Sequence, residues 1–347
     1  MHKVGLIGTG FIATQKHLPS WHKLRRQAQV AALCDVDPQR GTQVARHFGI
    51  PAVYQDVQQM LEKERPDIVD ICTPPQTHAT VALVALQSGA HTLIEKPMAV
   101  SEGECDAIIA AARQAGRKVC IAHSDLFYPA FMKAREWVRR GIIGEFKGMR
   151  IFLSTPVDYI TAKPDHWAHR LPGGVIGETG PHVIYLTLAF INPIRDVRVH
   201  AQKLLPEFPW SPFEDYRLEL IGDHATSSVT LTYATHNWGA QVEIWGRDGL
   251  LKVDLESQGL VHYHRRGLAH AAVGSSALRE AVQIAGNLIT TGMEVVTRRF
   301  QNTHALLIRR FLESIQNGAE PPVTAHEGRE AVRVMNLIVR RLQEGGV

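Results

Sequence analysis

The stretch Val4-Gly5-Leu6-Ile7-Gly8-Thr9-Gly10-Phe11-Ile12-Ala13 decides the fold. Val4 to Ile7 is a short apolar run without charge, as a parallel strand buried on both faces requires. It ends at a glycine turn, and a helix is predicted from about Phe11. Gly8 permits the tight turn. Gly10 has no side chain, so the backbone can come close to a bound group. Ala13 is small enough for helix and strand to pack together. A helix starting here points free N–H groups at the turn, which suits phosphate. Gly8, Gly10, Phe11 and Ile12 therefore read as the cradle of a dinucleotide's pyrophosphate.

Outward from this turn, strands and helices alternate as far as residue 122. Apolar runs at 30–34, near 53, at 68–72, 92–94 and 118–122 are predicted strands. Helices are predicted near 39–48, 55–64, 77–88 and 101–115. Gly89 stops the third of these, as a C-terminal glycine does. Such alternation implies a doubly wound parallel sheet, with a Rossmann domain over 1–122. Asp35 ends the second strand, where a carboxylate can accept both ribose hydroxyls. It would repel a 2′-phosphate, so NAD is expected rather than NADP. Arg40, the nearest base, falls inside the next predicted helix.

The chain's 347 residues suffice for two domains with sizeable cores. A formal net charge of +4 is too small to argue for nucleic acid without a clustered patch. The four cysteines (Cys34, Cys72, Cys105, Cys120) form no C-x-x-C pair, and several lie in apolar runs. They read as reduced, buried thiols of a cytoplasmic protein, and no metal site is expected of them. Met1-His2-Lys3 runs straight into the first strand, so no secretion signal is expected. No uncharged apolar stretch reaches about 18 residues, and no transmembrane segment is expected.

After Tyr128-Pro129 the pattern changes. A helix is predicted at 129–140. Alternating runs follow at 146–154, 196–204, 216–221, 227–234, 241–245 and 250–255. Asp248-Gly249 marks a hairpin turn. Strands without intervening helices predict an antiparallel meander in an α+β domain over 123–347. A helix at 175–190 carries Glu178 and His182 four apart, on one face.

The chain resembles the glucose–fructose oxidoreductase, inositol dehydrogenase and MocA family over nearly its whole length. Four blocks carry the resemblance: residues 8–13; Cys72-Thr73-Pro74 with His78; Glu95-Lys96-Pro97; and Gly173-Gly174 leading to Glu178, Gly180 and His182. The resemblance implies a Rossmann domain and an α+β domain with a large open, mainly antiparallel sheet. It also implies an oxidoreductase that moves a hydride between NAD(P) and a secondary alcohol of a sugar, polyol or sugar derivative. Lys96 would lie beside the nicotinamide and touch the substrate hydroxyl. Thr73 and Pro74 would line the dinucleotide, with His78 and Glu95 in the same blocks. His182 would take the hydroxyl proton, and Glu178 would orient it or bind a neighbouring hydroxyl. The family usually has aspartate where Glu178 stands, and often another where Tyr185 stands. Its usual arginines near residue 125 are replaced by Ser124-Asp125-Leu126. Alternatives on the same fold are a redox-neutral NAD-dependent lyase or glycosidase, and a catalytically silent nucleotide-bound regulator.

Trp167, Arg170 and His123 are further candidates for the substrate pocket: an aromatic face for a sugar ring, and donors for its hydroxyls or a carboxylate. His166, His169, His182 and Glu178 could be drawn as a metal cluster, but hydride transfer needs none. His262 and His264 read as solvated edge residues. Residues 263–300 are an apparent helical insertion with an apolar stripe at Leu278, Val282, Ala285, Ile289, Val296 and Phe300. Arg265, Arg266, Arg298, Arg299, Arg309 and Arg310 flank it. It reads as a helix packed on the sheet or on a partner subunit, with a membrane-surface helix or a lid over an anionic substrate as rivals. A homodimer or homotetramer through the C-terminal sheet is expected. A last helix is predicted at 326–343.

Overall fold

The computed structural model describes residues 1–296 and 302–345. Phe300, Arg298 and Arg299, assigned above to the insertion, lie outside the described residues. The chain divides into two compact units: Met1–Ser124 with Gln301–Arg333, and Asp125–Phe300 with Val334–Val347.

The first unit holds β1 (His2–Ile7), α1 (Leu18–Lys23), β2 (Ala28–Cys34), α2 (Pro38–Phe48), β3 (Ala52–Tyr54) and α3 (Val57–Glu64). Then follow β4 (Ile68–Ile71), α4 (Pro75–Gln87), β5 (His91–Ile94), α5 (Glu102–Ala115) and β6 (Val119–Ile121). The strands form one parallel sheet in the order β3-β2-β1-β4-β5-β6. Strand order reverses between β1 and β4, and open α/β sheets bind ligands at that point. Val4, Leu6, Ile68, Ile71, Leu93 and Ile94 are buried. Each such aliphatic side chain contributes about 1.5–3 kcal/mol on burial. Local chemistry fixes the helix ends. Asp37 caps α2 by accepting from the N–H groups of Gln39 and Arg40, and Ser101 caps α5 through Glu104. The first helix departs from expectation. It opens as a wide π-type turn over Ala13–His17 before α1, and this turn delivers the His17 ring into the interior.

The second unit opens with α6 (Pro129–Arg139), β7 (Phe146–Pro156), α7 (Ile176–Leu188), β8 (Ile194–Gln202) and β9 (Asp215–Gly222). It continues with β10 (Thr226–Thr235), β11 (Gly239–Gly246), β12 (Leu250–Asp254), β13 (Gly259–Tyr263) and α8 (His270–Val296). The sheet order is β13-β12-β11-β7-β10-β9-β8. The strands do not form the expected simple meander. β7 inserts between β10 and β11, antiparallel to β11 but parallel to β10. The sheet is otherwise antiparallel. Alternation sorts its faces. Met149, Ile151, Leu218, Val229, Leu231, Val242 and Ile244 are buried; α7 packs on β7 and β10, and α6 on β12 and β13. Between them along the strands stand Arg150, Arg217, Glu219, Ser228 and Gln241, all exposed.

Two helices end the chain. α9 (Thr303–Asn317) belongs to the first unit, and α10 (Ala325–Gln343) spans the division at Arg333. Between them the Val323 carbonyl accepts from Ile121 N–H beside β6. Among the described residues, no helix is long and apolar enough to cross a membrane.

Candidate active site

In the first unit the glycine turn is built as the sequence demands. Gly8 has φ +88°, and a Cβ there would lie 2.7 Å from the Cys72 carbonyl oxygen at the end of β4. A side chain is therefore excluded on both backbone and steric grounds. A Cβ on Gly10 would meet nothing within 4 Å. The turn thus keeps an open face on which a pyrophosphate can lie, and Phe11 beside it is exposed.

Asp35 is buried at the end of β2 and braces the same turn. Its Oδ2 accepts from Thr9 N at 2.7 Å and from Thr9 Oγ1 at 2.5 Å. Its Oδ1 accepts from Asp37 N at 2.9 Å and from Arg40 Nη2 at 2.7 Å. Burial pushes the carboxyl pKa up, but the Arg40 and Thr9 hydrogen bonds outweigh it and hold the group at about 2. Arg40 does sit in α2, yet it reaches back onto Asp35. A carboxylate offers roughly four lone pairs, so a ribose bonding Asp35 would displace the half-exposed Arg40.

Thr73 and Pro74 follow β4, and Lys96 follows β5 through Glu95. His78, buried on α4, joins the two loops. Its Nδ1 lies 2.8 Å from the Pro97 carbonyl oxygen and its Nε2 2.8 Å from that of Thr73. Burial pushes its pKa down. Lys96 itself is half-buried. Its N–H donates to Glu95 Oε2 at 3.0 Å.

Glu95 belongs to a buried network that the sequence did not announce. His17 Nε2 lies 2.8 Å from Glu95 Oε1, and His17 Nδ1 lies 2.8 Å from Asp70 Oδ2. The Trp21 indole donates to Asp70 Oδ2 at 2.7 Å, and His304 of α9 lies 3.6 Å from Glu95. Burial pushes the His17 pKa down, but Asp70 overrides it and the net shift is well upward. Burial pushes Glu95 up, and its bonds to His17 and His304 pull it well below the usual carboxylate range. His17 is therefore an imidazolium clamped between two carboxylates. This clamp fixes the carboxylate directly before Lys96. All four cysteines are buried and unbridged. Burial pushes the Cys34 thiol up to about 11.

In the second unit, α7 presents His182. Asp125 Oδ2 lies 2.6 Å from its Nδ1, and Tyr185 Oη, one turn further along the helix, lies 2.7 Å from the same atom. Asp125 N–H donates to Tyr185 Oη at 3.4 Å. Both bonds fall on Nδ1. No described residue bonds Nε2, and the side chain is 21% exposed. A carboxylate on Nδ1 favours a proton on that nitrogen and leaves Nε2 as the ring atom turned to other partners.

Glu178 does not supply that carboxylate. Its charge acts on His166, whose pKa burial pushes down and Glu178 draws back up. His166 stacks on Trp167, with ring centroids 5.7 Å apart, and its Nδ1 accepts from Ala168 N–H. Trp167 and Arg170 are exposed on a short 3₁₀ turn before α7, whereas His123 of the first unit is buried. His169 is spent on the Ile160 and Lys163 carbonyls. Among the described residues, the titratable groups that do converge as metal ligands would are His17 with Asp70 and Cys72, and His17 with Glu95 and His304. His17 is already committed there to its two carboxylates.

Sequence reasoning missed Asp125, Tyr185, His17, Asp70 and His304 as site residues. The one available signal for the first pair was the departure from the family pattern at those two positions.

A 3-2-1-4-5-6 parallel sheet with an open glycine turn, together with a second unit built on a large mostly antiparallel sheet, defines a class of dinucleotide-dependent oxidoreductases. Residues 2–123 match the GFO_IDH_MocA family, described as "Oxidoreductase family, NAD-binding Rossmann fold", and residues 131–252 match the "GFO/IDH/MocA C-terminal domain". The chain belongs to this family, and its first unit is an NAD-binding Rossmann domain. It is 23% identical to the D-apiose dehydrogenase of Paraburkholderia graminis, across 99% of this chain and 88% of that protein. It is 30% identical to the D-glucoside 3-dehydrogenase of Escherichia coli, across 41% and 40% of the respective chains. Among solved structures, the WlbA dehydrogenase of Bordetella pertussis, in complex with NADH and UDP-GlcNAcA, superposes with a TM-score of 0.81 at 18% identity. The match covers 99% of this chain and 96% of that one.

Proposed function

We propose that the protein oxidises a secondary alcohol of a sugar, polyol or sugar derivative with NAD, or catalyses the reverse reduction. The observation that carries this reading is the Asp125–His182 pair, in which the carboxylate sits on Nδ1 and no described residue bonds Nε2. NAD, when bound, accepts or returns the hydride. His182 Nε2 takes the hydroxyl proton, and Asp125 stabilises the imidazolium that forms. Tyr185 keeps the ring in place. Lys96 supplies positive charge for the developing alkoxide, with its backbone set by Glu95 and the His17 clamp. Trp167 and Arg170, both exposed, suit a sugar face and its hydroxyls. Glu178 binds a neighbouring hydroxyl rather than orienting His182. Asp35 selects NAD, because a 2′-phosphate would bring further negative charge to a buried carboxylate whose basic partner is already engaged.

Relatives named as dehydrogenases of D-apiose and of D-glucosides support a carbohydrate hydroxyl as the substrate. The test is a panel of aldoses, polyols, glycosides and nucleotide sugars with NAD, followed by NADH absorbance. Net NADH formation on at least one of them is expected. Turnover of a sugar without net NADH would replace this reading with a redox-neutral one.

A further inference from the structure

Helix α8 meets the end of the second sheet through polar side chains. The Gln283 amide pairs with His262 of β13 as a neighbouring strand would: Oε1 accepts from His262 N–H at 2.9 Å, and Nε2 donates to the His262 carbonyl at 3.1 Å. Asn287 Nδ2 donates to the Leu260 carbonyl at 2.9 Å. Where this seam meets the Asp248-Gly249 turn between β11 and β12, the second unit holds a cavity of about 570 Å³. Small-molecule sites commonly measure about 300–1,000 Å³. None of the residues lining the cavity is among those of the candidate active site.

The charge of the cavity is positive. Arg266 and Arg279 line it, and Asp248 is the one carboxylate among its described lining residues. That carboxylate packs against Gly144, where any Cβ would collide with its Oδ2. Arg266 pairs with Asp248 only loosely, at 3.9 Å, and makes no hydrogen bond to a described residue. Arg279 reaches no further than Ser275, one turn back on its own helix. A guanidinium has five N–H donors, so both arginines keep donors for a ligand. Lys252 Nζ and Arg265 Cζ lie 5.0 and 5.2 Å from the centre of the Tyr263 ring, which also lines the cavity. They add positive charge to the same hairpin, offset in part by Glu280 at 3.5 Å from Lys252.

Polar groups without charge complete the lining. His262 and His264, expected as solvated edge residues, are instead half-buried in the cavity wall. His264 Nδ1 donates to the Asp248 carbonyl at 2.7 Å. His262 Nε2 is buried with no hydrogen-bond partner among the described residues, whereas the large majority of buried polar atoms are paired. Burial and the neighbouring His264 push the His262 pKa down, so the ring is neutral and offers a hydrogen bond rather than a charge. Ser276 Oγ donates to the Val273 carbonyl at 2.9 Å and keeps its lone pairs for a ligand hydroxyl.

We propose that this cavity binds a small organic phosphate monoester, with the phosphoryl group on Arg266 and Arg279 and a hydroxyl-bearing body against Ser276, Tyr263 and His262. A phosphate monoester carries about 1.5–2 negative charges at neutral pH, which two guanidiniums match. Their planar forks suit phosphoryl oxygens. The volume exceeds what a bare phosphate fills, and the uncharged donors and acceptors give the remainder of the ligand its partners.

Isothermal titration calorimetry in a phosphate-free buffer tests the proposal. Fructose 6-phosphate, glycerol 3-phosphate, inorganic phosphate and fructose are titrated into the full chain saturated with NADH, which keeps the esters off the cofactor's own phosphate cradle. At least one ester should bind saturably and more tightly than inorganic phosphate, and fructose should not bind. In Arg266→Gln/Arg279→Gln the affinity for that ester should fall at least about tenfold, as for lost charge-assisted hydrogen bonds. Both positions are exposed, so the circular dichroism and NADH binding of the variant should match the wild type. Arg266→Lys/Arg279→Lys keeps the charge without the fork and should bind with intermediate affinity. The proposal is overturned if neither ester binds saturably, or if the glutamine variant binds the ester as well as the wild type does. Inorganic phosphate binding as tightly as both esters would also overturn it, by showing an adventitious anion site only. Turnover is not read, so these outcomes are independent of the proposed reaction.

Discussion

Two histidines in this protein pair with carboxylates at nearly the same distance and come to opposite ends. His17 is fully buried, with a carboxylate on each ring nitrogen: Asp70 at 2.8 Å and Glu95 at 2.8 Å. His182 is partly exposed, with its one carboxylate, Asp125, on Nδ1 at 2.6 Å. With both nitrogens engaged by anions, an imidazole keeps its second proton and becomes a fixed charge. With one engaged, the other nitrogen is left to give and take a proton. The first arrangement serves stability and positions the loop of Lys96. The second is the one we propose to serve chemistry. The number of carboxylates on the ring and its access to solvent make the difference.

Removing each ring in turn breaks the comparison. His182→Ala should lower turnover by about 10²–10⁴-fold, the range of a positioned proton acceptor, and leave the melting temperature nearly unchanged. His17→Ala should act first on stability, with any loss of turnover following from a loosened Lys96 loop. It leaves Asp70 and Glu95 buried without their shared cation, and breaking a buried pair in this way costs about 3–5 kcal/mol. Thermal unfolding measures that cost. The sign of its pH dependence follows from the shifts. The His17 pKa is raised on folding, so its contribution is fully present below about 6.5 and is lost as pH rises through the folded value. Glu95 is depressed on folding. Its contribution is present above the ordinary glutamate pKa and is lost as pH falls through the folded value. The wild type should therefore lose stability on the alkaline side, and His17→Ala should lack that limb.

Lys96→Ala sharpens the contrast at the next level down. In the proposed site the phosphates would rest on residues 8–13 and the ribose on Asp35, so cofactor binding should persist. Turnover should fall about a hundredfold, as for the loss of one electrostatic contribution. Unchanged turnover would remove Lys96 from the chemistry. The smallest expected effect is at Asp35. NAD should bind at least about tenfold more tightly than NADP, roughly 1.4 kcal/mol, as a fluorescence titration of each would show. Equal binding would mean that Arg40 leaves Asp35 to hold the 2′-phosphate.

The first unit was legible because its signals are local. Residues 4–13 carry strand, turn and helix start within ten positions, and Asp35 stands at a strand end. The second sheet was legible strand by strand through alternation, but not in its pairing. β7 reaches its parallel partner β10 across some 80 intervening residues, and nothing in either run encodes that partnership. The same reason hid the networks. Asp125 and His182 lie 57 positions apart, and His17 and Glu95 lie 78 apart. Spacing instead favoured Glu178, a helical neighbour of His182, yet its charge falls on His166. Leu278, Val282, Ala285, Ile289 and Val296 of the expected stripe lie on one helix, α8. The stripe's outward direction was not legible, because the face that packs on β13 uses Gln283 and Asn287, side chains that pattern reasoning assigns to solvent.

The account stands most directly on the claim that Asp125 poises His182 as the proton acceptor. The pH dependence of turnover in Asp125→Asn measures it, on a substrate found with the sugar panel. Loss of the carboxylate disfavours the imidazolium, so the acid limb of the profile should move to lower pH while the maximal rate falls at least about tenfold. A profile and a rate matching the wild type would contradict the assignment and return Asp125 to a purely structural role.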